Sequence, residues 1–244
     1  MTGRPPAFAV LTPVLGRPSR ARPLADSLTR SGADARIVFL CSPEDREQVA
    51  ACRATGCETV VVGWEAGRAD FARKINHGVQ ATGEPFLLAA ADDVRFHPGW
   101  DDVLLDGFAD DQVGVCGTND LANAEVKAGR FSTHPAVRRD YADEHGTIDG
   151  TGVALCELYD HNFCDRELAE TAMYRGAWLF AADAVVEHVH PHFRPADVDV
   201  DATYRKGQQR FREDRRLFLR RRRLWGGRPS LTWHPVRAGM KAAL

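Results

Sequence analysis

The stretch Phe86-Leu87-Leu88-Ala89-Ala90-Ala91-Asp92-Asp93 decides the fold class, because an apolar run ends abruptly in two adjacent carboxylates. A short apolar run of this kind is typical of a buried strand. In open sheets of parallel strands, ligands bind beyond the carboxyl ends of the strands. The stretch therefore predicts a ligand site beside Asp92 and Asp93, at one edge of a parallel sheet.

The residues before this stretch alternate apolar runs with helix-like segments. Three further runs are candidate strands: residues 8–11, which Pro13 ends, residues 36–41 and residues 59–62. Between them, helices are predicted over residues 18–30, from an N-cap at Ser42 with Pro43 as first helical residue, and over residues 68–82. Parallel neighbours need crossovers long enough to hold a helix. The pattern predicts an α/β fold with a Rossmann-like, mainly parallel sheet flanked by helices.

The second half of the chain is less regular. Residues 117–164 are polar and lack clear periodicity, which predicts an ordered, irregular binding region. A helix is predicted over residues 165–174, and strands over residues 178–180 and 185–186. Residues 204–223 contain ten Lys or Arg against Glu213 and Asp214, which predicts a basic helix. Three interpretations of this helix stay open: packing against an acidic body, contact with nucleic acid, or contact with an anionic membrane.

Composition narrows the class of protein. The 244 residues are 44% hydrophobic and 27% charged, which excludes wholesale disorder, and a net charge of −2 excludes a uniformly basic nucleic-acid binder. No apolar run approaches the roughly 20 residues that span a bilayer, and residues 1–6 do not resemble a secretory signal. Six cysteines occur without a CxxC pair, which predicts free thiols. We therefore expect a soluble, cytoplasmic protein.

The paired carboxylates need a positive partner. Two adjacent acids repel each other and lose hydration at a sheet edge, and a hard divalent cation such as Mg²⁺ or Mn²⁺ would offset both effects. Such a cation normally shares its shell with a substrate diphosphate. The alternative interpretation is that Asp92 and Asp93 only cap the following turn.

Further motifs accompany this pair in a fixed order. They are Leu11-Thr12-Pro13-Val14-Leu15-Gly16-Arg17-Pro18, Arg73-Lys74-Ile75-Asn76-His77-Gly78, Asp165-Arg166-Glu167-Leu168, and the segment from Trp178 to His190. With the acidic pair as a DXD-type motif, this order resembles the GT-A glycosyltransferases, and especially the inverting enzymes of family 2. The resemblance covers residues 8–193.

The resemblance implies an activity and a site. The activity is transfer of a sugar from a nucleotide-sugar donor to a hydroxyl acceptor, with inversion and with Mn²⁺ or Mg²⁺ as cofactor. The implied donor-binding residues are Thr12, Pro13, Val14, Arg17, Lys74, Asn76 and Asp92, to which Asp120 is added as a residue type common in sugar sites. The implied metal ligands are Asp93 with His188 or His190, and the implied catalytic base is Asp165, with Glu167 second.

Three of these assignments have alternatives. His188, His190 and His192 alternate, so on a strand all three would share one face, and a zinc site would use all of them. Asp165 lies at a predicted helix start, where the dipole favours its ionised form, but a plain N-cap would explain it too. Lys74 would add positive charge near the nucleotide, or would lie on a solvated helix face.

The domain and substrate predictions follow from the same resemblance. Residues 1–200 form one domain, with a nucleotide-sugar half of about 1–116 and an acceptor half of about 117–200, before a basic helix and tail over residues 201–244. The second strand ends at Cys41-Ser42 without an acidic run, so the donor nucleotide stays open. The acceptor is a protein, glycan, lipid, small molecule or modified DNA base. Alternative functions are a nucleotidyltransferase, for which Leu15-Gly16-Arg17 is a poor phosphate loop, and a non-catalytic nucleotide-binding module.

Overall fold

The computed structural model describes residues 5–193 and 200–226. Within these ranges the strands are β1 (Phe8–Val14), β2 (Ala35–Cys41), β3 (Glu58–Val61), β4 (Phe86–Ala89), β5 (Val94–Phe96), β6 (Val115–Asn119), β7 (Ala136–Arg138) and β8 (Trp178–His188). The α-helices are α1 (Ala21–Ser31), α2 (Arg46–Arg53), α3 (Asp70–Ala81), α4 (Trp100–Phe108), α5 (Ala124–Lys127), α6 (Arg139–Glu144), α7 (Cys164–Tyr174) and α8 (Ala202–Arg221).

The strands form one sheet in the order β3-β2-β1-β4-β7-β6-β8-β5. The strands β3, β2, β1 and β4 are parallel to one another, and β6 is parallel to β8. The short β7 is antiparallel to both β4 and β6, and β5 is antiparallel to β8. The predicted α/β fold with a mainly parallel sheet is therefore confirmed, and the antiparallel strands lie in its second half.

The first strand extends further than predicted, since β1 runs through Pro13 to Val14. Its neighbour β4 pairs with β1 only from Phe8 to Leu11, whereas β2 pairs along the whole strand. Pro13 therefore lies beyond the doubly paired part of β1, where a proline is tolerated because fewer ladder hydrogen bonds are required.

The predicted start of the second helix is wrong. The N-cap of α2 is Asp45, whose side chain accepts a hydrogen bond from the Gln48 amide at 3.2 Å. Ser42 instead lies fully buried directly after β2. Both residues are good N-caps by type, and position alone does not separate them.

The irregular region predicted over residues 117–164 contains regular elements that sequence periodicity missed. It includes most of β6, all of β7, and the short helices α5 and α6. The two strand predictions near residues 178–186 are a single strand, β8, whose middle residues Ala182 and Asp183 are exposed. Elements of three to six residues carry too few positions to show a period, and exposed residues interrupt the pattern of a long strand.

The sheet is covered on both faces by apolar layers. One layer includes Leu24 of α1 and Trp100 and Phe108 of α4. The other combines Ile75 of α3 with Leu168 of α7, and it includes residues of the C-terminal segment, namely Phe218 and Trp225. The predicted basic helix is present as α8, and its inner face is part of the core.

Two expectations from composition can be compared with the structure. All six cysteines are free thiols, as predicted. Among residues 5–193 and 200–226, none of the helices combines the length and the apolar character that crossing a bilayer requires.

Candidate active site

The acidic pair lies in the turn that joins β4 to β5, at the carboxyl end of β4. Both residues are buried, with Asp92 8% and Asp93 6% exposed. The Asp93 carbonyl accepts a hydrogen bond of 2.8 Å from the Val189 amide, which lies just after β8. The end of β8, nearly 100 residues later in the chain, is thereby fixed beside the pair.

Asp93 is surrounded by groups that stabilise its negative charge. Its Oδ2 accepts a 2.8 Å hydrogen bond from the Tyr204 hydroxyl, and its Oδ1 lies 3.4 Å from His188 Nε2. Burial by itself would raise the pKa of Asp93, but His188 and the Tyr204 hydrogen bond lower that pKa below its usual range. Asp93 is therefore ionised at neutral pH.

Asp92 faces the loop after β1. Its Oδ1 accepts a 2.8 Å hydrogen bond from Arg17 Nη1, and Arg20 Nη1 lies 3.9 Å from the same oxygen. Burial and the charge of Asp93 raise the pKa of Asp92 to about 6, although Arg17 and Arg20 act in the opposite direction. Two predicted donor-binding residues, Arg17 and Asp92, thus bind each other.

The start of α8 covers the acidic pair. Asp201, the N-cap of α8, accepts hydrogen bonds of 2.8 and 3.0 Å from Arg17 Nε and Nη2. The Arg17 guanidinium also lies over the Tyr204 ring, 4.0 Å from its centroid. A ligand that reaches the pair must displace some of these contacts.

His188, the last residue of β8, is the point on which several acids converge. Burial by itself would lower its pKa, but Asp93, Asp120 and Asp165 raise it. A backbone hydrogen bond of 3.2 Å, from the His188 amide to the Asp120 carbonyl, also joins the end of β8 to the end of β6. The predicted base and one predicted metal ligand therefore belong to one electrostatic cluster.

The donor set fits a divalent cation. Within the described chain, His188 Nδ1 and both ring nitrogens of His134 are buried and meet no hydrogen-bond partner of good geometry. The His134 and His188 rings lie edge to face, 4.9 Å apart, and burial lowers the pKa of His134 to about 3, so its ring is neutral. Carboxylate oxygen and neutral imidazole nitrogen are ligands that Mn²⁺ accepts. Asp93 could hold such an ion, and His188, 3.4 Å away, could join it in its neutral form.

The alternating histidines do not share a strand face. The strand β8 ends at His188, so His190 and His192 lie in the following turn. The ring of His190 packs on Tyr204 with centroids 4.5 Å apart, and its Nδ1 accepts the His192 amide at 3.1 Å. The period-two argument for three ligands on one face is therefore wrong, because the strand stops too early.

Solved structures share this architecture. A mannosyltransferase from Pyrobaculum calidifontis, in complex with GDP-Man and Mn²⁺, superimposes with a TM-score of 0.57 at 16% identity, over 77% of this chain and 58% of that one. Glucosyl-3-phosphoglycerate synthase from Mycobacterium tuberculosis, in complex with Mn²⁺ and UDP-Glc, gives 0.58 at 12% identity, over 91% and 79%. These neighbours are GT-A glycosyltransferases. This chain has the GT-A fold.

The likeness lies in the fold and not in detectable sequence similarity. No family model matches the chain, and no curated protein matches it. The chain also spans only 58% of the length of the mannosyltransferase. The roles of individual residues on this GT-A fold therefore rest on the geometry of this site.

Asp165 lies in the first turn of α7, as predicted for the base. Its Oδ1 accepts a 2.8 Å hydrogen bond from the Arg166 amide. Burial raises the pKa of Asp165 to about 6, against the opposing effect of that hydrogen bond and of the Arg166 charge. A carboxylate with this pKa is ionised at neutral pH and is a better proton acceptor than an exposed aspartate.

Glu167, the second predicted base, is committed to other contacts. Its carboxylate accepts hydrogen bonds from the Tyr159 hydroxyl at 2.5 Å and from Arg221 Nε and Nη2 at 2.8 and 2.6 Å. Among the described residues, it forms with Asp149 and Cys156 the one group of three His, Cys, Asp or Glu side chains whose ligand atoms all lie within 4.8 Å of one another. The Arg221 guanidinium also hydrogen-bonds Asp149, so an internal cation already neutralises this group. Glu167 therefore joins α7 to α8 and is not free to act as a base.

Lys74 and Asn76 of α3 both point into the protein. Lys74 is fully buried, with its Nζ 2.7 Å from Asp70 and 3.1 Å from the Val14 carbonyl, so the solvated-face alternative is wrong. Asn76 accepts the Ala154 and Leu155 amides at 2.9 Å each and donates to the Leu155 carbonyl at 2.8 Å. The two side chains hold the loops that border the site.

The remaining predicted donor residues lie along the edge of the sheet. Thr12, Pro13 and Val14 form the end of β1, and Thr12 Oγ1 is buried with no hydrogen-bond partner in the described chain. The Asp120 side chain accepts the Ala122 and Asn123 amides at 3.0 and 2.9 Å and so stabilises a turn after β6. Their contact with a donor stays a prediction.

Four residues of the site, with Arg20 among them, were not singled out from the sequence. Tyr204 and Asp201 reach the acidic pair from a helix that the sequence marks only as basic, and His134 stood among many polar residues of the middle region. The hydroxyl of Tyr204 lies 111 residues from Asp93 in the chain. No local pattern signals a contact of that separation.

Proposed function

We propose that this protein is a divalent-cation-dependent glycosyltransferase that moves a sugar from a nucleotide-sugar donor to a hydroxyl acceptor. The observation that carries the proposal is the buried Asp92–Asp93 pair at the end of β4, beside His188, on a GT-A fold. The neighbours of known structure were solved with GDP-Man or UDP-Glc and with Mn²⁺, which supports this class of donor.

Residues on either side of the pair would hold the donor. Asp93 and His188 would hold a divalent cation, which supplies positive charge to the diphosphate oxygens when bound. Arg17 and Arg20 lie beside the pair and would add positive charge for the leaving diphosphate once Arg17 exchanges its bonds to Asp92 and Asp201.

Asp165 would act as the general base. Its carboxylate accepts the proton of the acceptor hydroxyl, whose oxygen forms a bond to the anomeric carbon while the bond to the diphosphate oxygen breaks. A single displacement of this kind inverts the anomeric configuration, and a positioned base typically contributes about 10²- to 10⁴-fold in rate. Proton nuclear magnetic resonance of the product tests the inversion directly.

The experiment is a donor screen with two aspartate variants. Hydrolysis and transfer are measured with GDP-mannose, UDP-glucose and a dTDP-sugar, with and without Mn²⁺, and released nucleoside diphosphate is distinguished from pyrophosphate. We expect metal-dependent release of nucleoside diphosphate, reduced at least about 100-fold in Asp93→Asn. Pyrophosphate release would indicate a nucleotidyltransferase instead.

A matched control separates the site from general effects of losing a carboxylate. Asp183 is exposed in the middle of β8, and Asp183→Asn is expected to change turnover by less than about twofold. If every donor is inert both with and without Mn²⁺, and Asp93→Asn binds nucleotide and Mn²⁺ as tightly as the unmodified protein, the proposal is wrong.

A further inference from the structure

The basic residues of α8 divide into two sets. Arg210 and Arg221, with Arg222 directly after the helix, pair with acids of the body of the protein: Arg210 with Asp160 at 2.9 Å and Arg222 with Glu170 at 2.7 Å, although these two side chains stay half exposed. The other set is exposed and faces outward. Its core, which we call the arginine stripe, consists of Arg205, Arg212, Arg216 and Arg220 on α8 and Arg223 in the turn that follows.

The arginine stripe is a single continuous face. Its positions on α8 are separated by seven, four and four residues, the spacing of one side of a helix. At 1.5 Å per residue, Arg205 and Arg220 are about 22 Å apart along the axis. Arg205 donates to the Val200 carbonyl, and within the described ranges the other four make neither an ion pair nor a hydrogen bond through their side chains.

This arrangement is unfavourable in the isolated protein. Like charges four residues apart, such as Arg212 with Arg216 and Arg216 with Arg220, destabilise a helix. The inward-facing arginines show that α8 packs on the body without help from the stripe. A bound polyanion would reduce the repulsion between these arginines, so the stripe is suited to a polyanionic partner.

We propose that the arginine stripe binds nucleic acid through its phosphate backbone. The guanidinium group is planar and binds phosphate oxygens through two parallel N–H groups, and all five positions of the stripe are arginine. A strand carries one phosphate per 3.4 Å of axis, so the about 22 Å from Arg205 to Arg220 matches roughly six phosphates. The whole chain carries a net charge of −2, so the rest of the molecule is acidic and repels a polyanion elsewhere.

A membrane surface fits this face less well. Helices that bind at a bilayer interface insert their apolar face between the headgroups. Tyr204 and Phe218 of α8 are buried at 7% and 4% exposure, whereas Phe211 and Leu219 are separate apolar side chains that stay half exposed at 47% and 44%. Arginines outnumber such apolar side chains on the outward face of α8, so its contact with a membrane would be mainly electrostatic.

The position of the stripe relates it to the candidate active site. Arg205 directly follows Tyr204, whose hydroxyl bonds Asp93. A nucleic acid bound along α8 would therefore lie next to the acidic pair. Binding at the stripe does not depend on the proposed transferase activity and is measured without any donor.

The test is binding of the intact protein to fluorescein-labelled nucleic acid. Fluorescence anisotropy is recorded with a 20-nucleotide single strand and with a duplex of the same sequence, between 50 and 200 mM NaCl, roughly the range over which phosphate contacts weaken. We expect binding that weakens steeply with salt. In Arg212→Glu/Arg216→Glu, affinity should fall at least about tenfold and the salt slope by about 1.5, because two phosphate contacts are lost.

The control is Arg30→Glu/Arg53→Glu, which changes the charge equally at exposed positions on α1 and α2. It should bind within about twofold of the unmodified protein, and circular dichroism should show all three proteins equally folded. Equal losses in both variants would overturn the proposal, as would no binding to either nucleic acid. Binding to vesicles of phosphatidylcholine with phosphatidylserine, but not to nucleic acid, would overturn it in favour of a membrane contact.

Discussion

The ionisation of one residue, Asp165, makes the rate of the proposed reaction depend on pH. Burial raises its pKa to about 6, and a general base acts only in its ionised form. We therefore expect kcat/KM to be constant above about pH 7 and to fall about tenfold per pH unit below about pH 6. The measurement is a pH–rate profile of sugar transfer at saturating metal.

Nucleotide binding provides the control for this profile. Asp92 also has a pKa raised to about 6, so its protonation over the same pH range would change the affinity for the donor nucleotide. Binding of the nucleoside diphosphate is therefore measured over the same pH range. A transfer rate that stays constant down to pH 5, or Asp165→Asn with unchanged turnover, would contradict the role of Asp165.

Tyr204 stabilises the empty site through one hydrogen bond to a buried charge. Its hydroxyl donates to Asp93 at 2.8 Å, and hydrogen bonds to charged groups contribute about 1.5–3 kcal/mol. Tyr204→Phe keeps the ring that Arg17 covers but loses this bond. We expect the free energy of unfolding to fall by about 1.5–3 kcal/mol in urea denaturation without metal.

Tyr174 supplies the matched comparison. It lies at the end of α7, and its hydroxyl makes no hydrogen bond to the residues that the structure describes. Tyr174→Phe should change the free energy of unfolding by less than about 0.5 kcal/mol. Equal effects of the two substitutions would show that the Tyr204 hydroxyl does not stabilise Asp93.

At the scale of elements, one ion pair joins α7 to α8. Arg221 is 7% and Glu167 2% exposed, and their two hydrogen bonds are 2.8 and 2.6 Å long. Removing one partner of a buried pair leaves an uncompensated charge, at a cost of about 3–5 kcal/mol. Arg221→Met should therefore lower the free energy of unfolding by this amount in chemical denaturation.

A second substitution tests the pairing itself. Glu167→Gln removes the negative charge that Arg221→Met leaves unpaired. The double variant with both substitutions should therefore be more stable than Arg221→Met alone. Arg223→Met, at an exposed arginine two residues later, should cost less than about 0.5 kcal/mol. If the double variant loses the sum of both single losses, Arg221 and Glu167 do not interact.

For the whole molecule, we expect α8 to fold together with the sheet, although the predicted domain boundary lies near residue 200. Phe218 and Trp225 lie in the same apolar layer as α3 and α7. Loss of a buried Phe or Trp costs about 3–5 kcal/mol each, and a domain of this kind has a total stability of only about 5–15 kcal/mol. A chain that ends at Val200 should therefore lack a cooperative thermal transition.

The control for this truncation is a chain that ends at Gly226, which keeps every contact described above. It should unfold cooperatively, with a melting temperature close to that of the full chain. A cooperative transition in the chain ending at Val200 would support the domain boundary predicted near residue 200.

The class of fold could be predicted from local patterns in the chain. Apolar runs alternating with helical periods required a mainly parallel sheet, and the carboxylates after Ala91 indicated the edge of that sheet at which we propose the site. These are local signals, written in residues that are close in the chain. The short strands β6 and β7 escaped detection because three to five residues are too few to show a period.

The side chains that surround the acidic pair could not be predicted from local patterns, because they come from distant parts of the chain. It assigned Tyr204 to Asp93 and Arg17 to Asp92, and it committed Glu167 to Arg221. It also separated the arginines of α8 into those that pair with the body and those that face solvent. Such contacts depend on how distant segments pack. The sequence around a charged residue or a tyrosine is the same whether its side chain meets a buried acid, a ligand or water, so it does not reveal the partner.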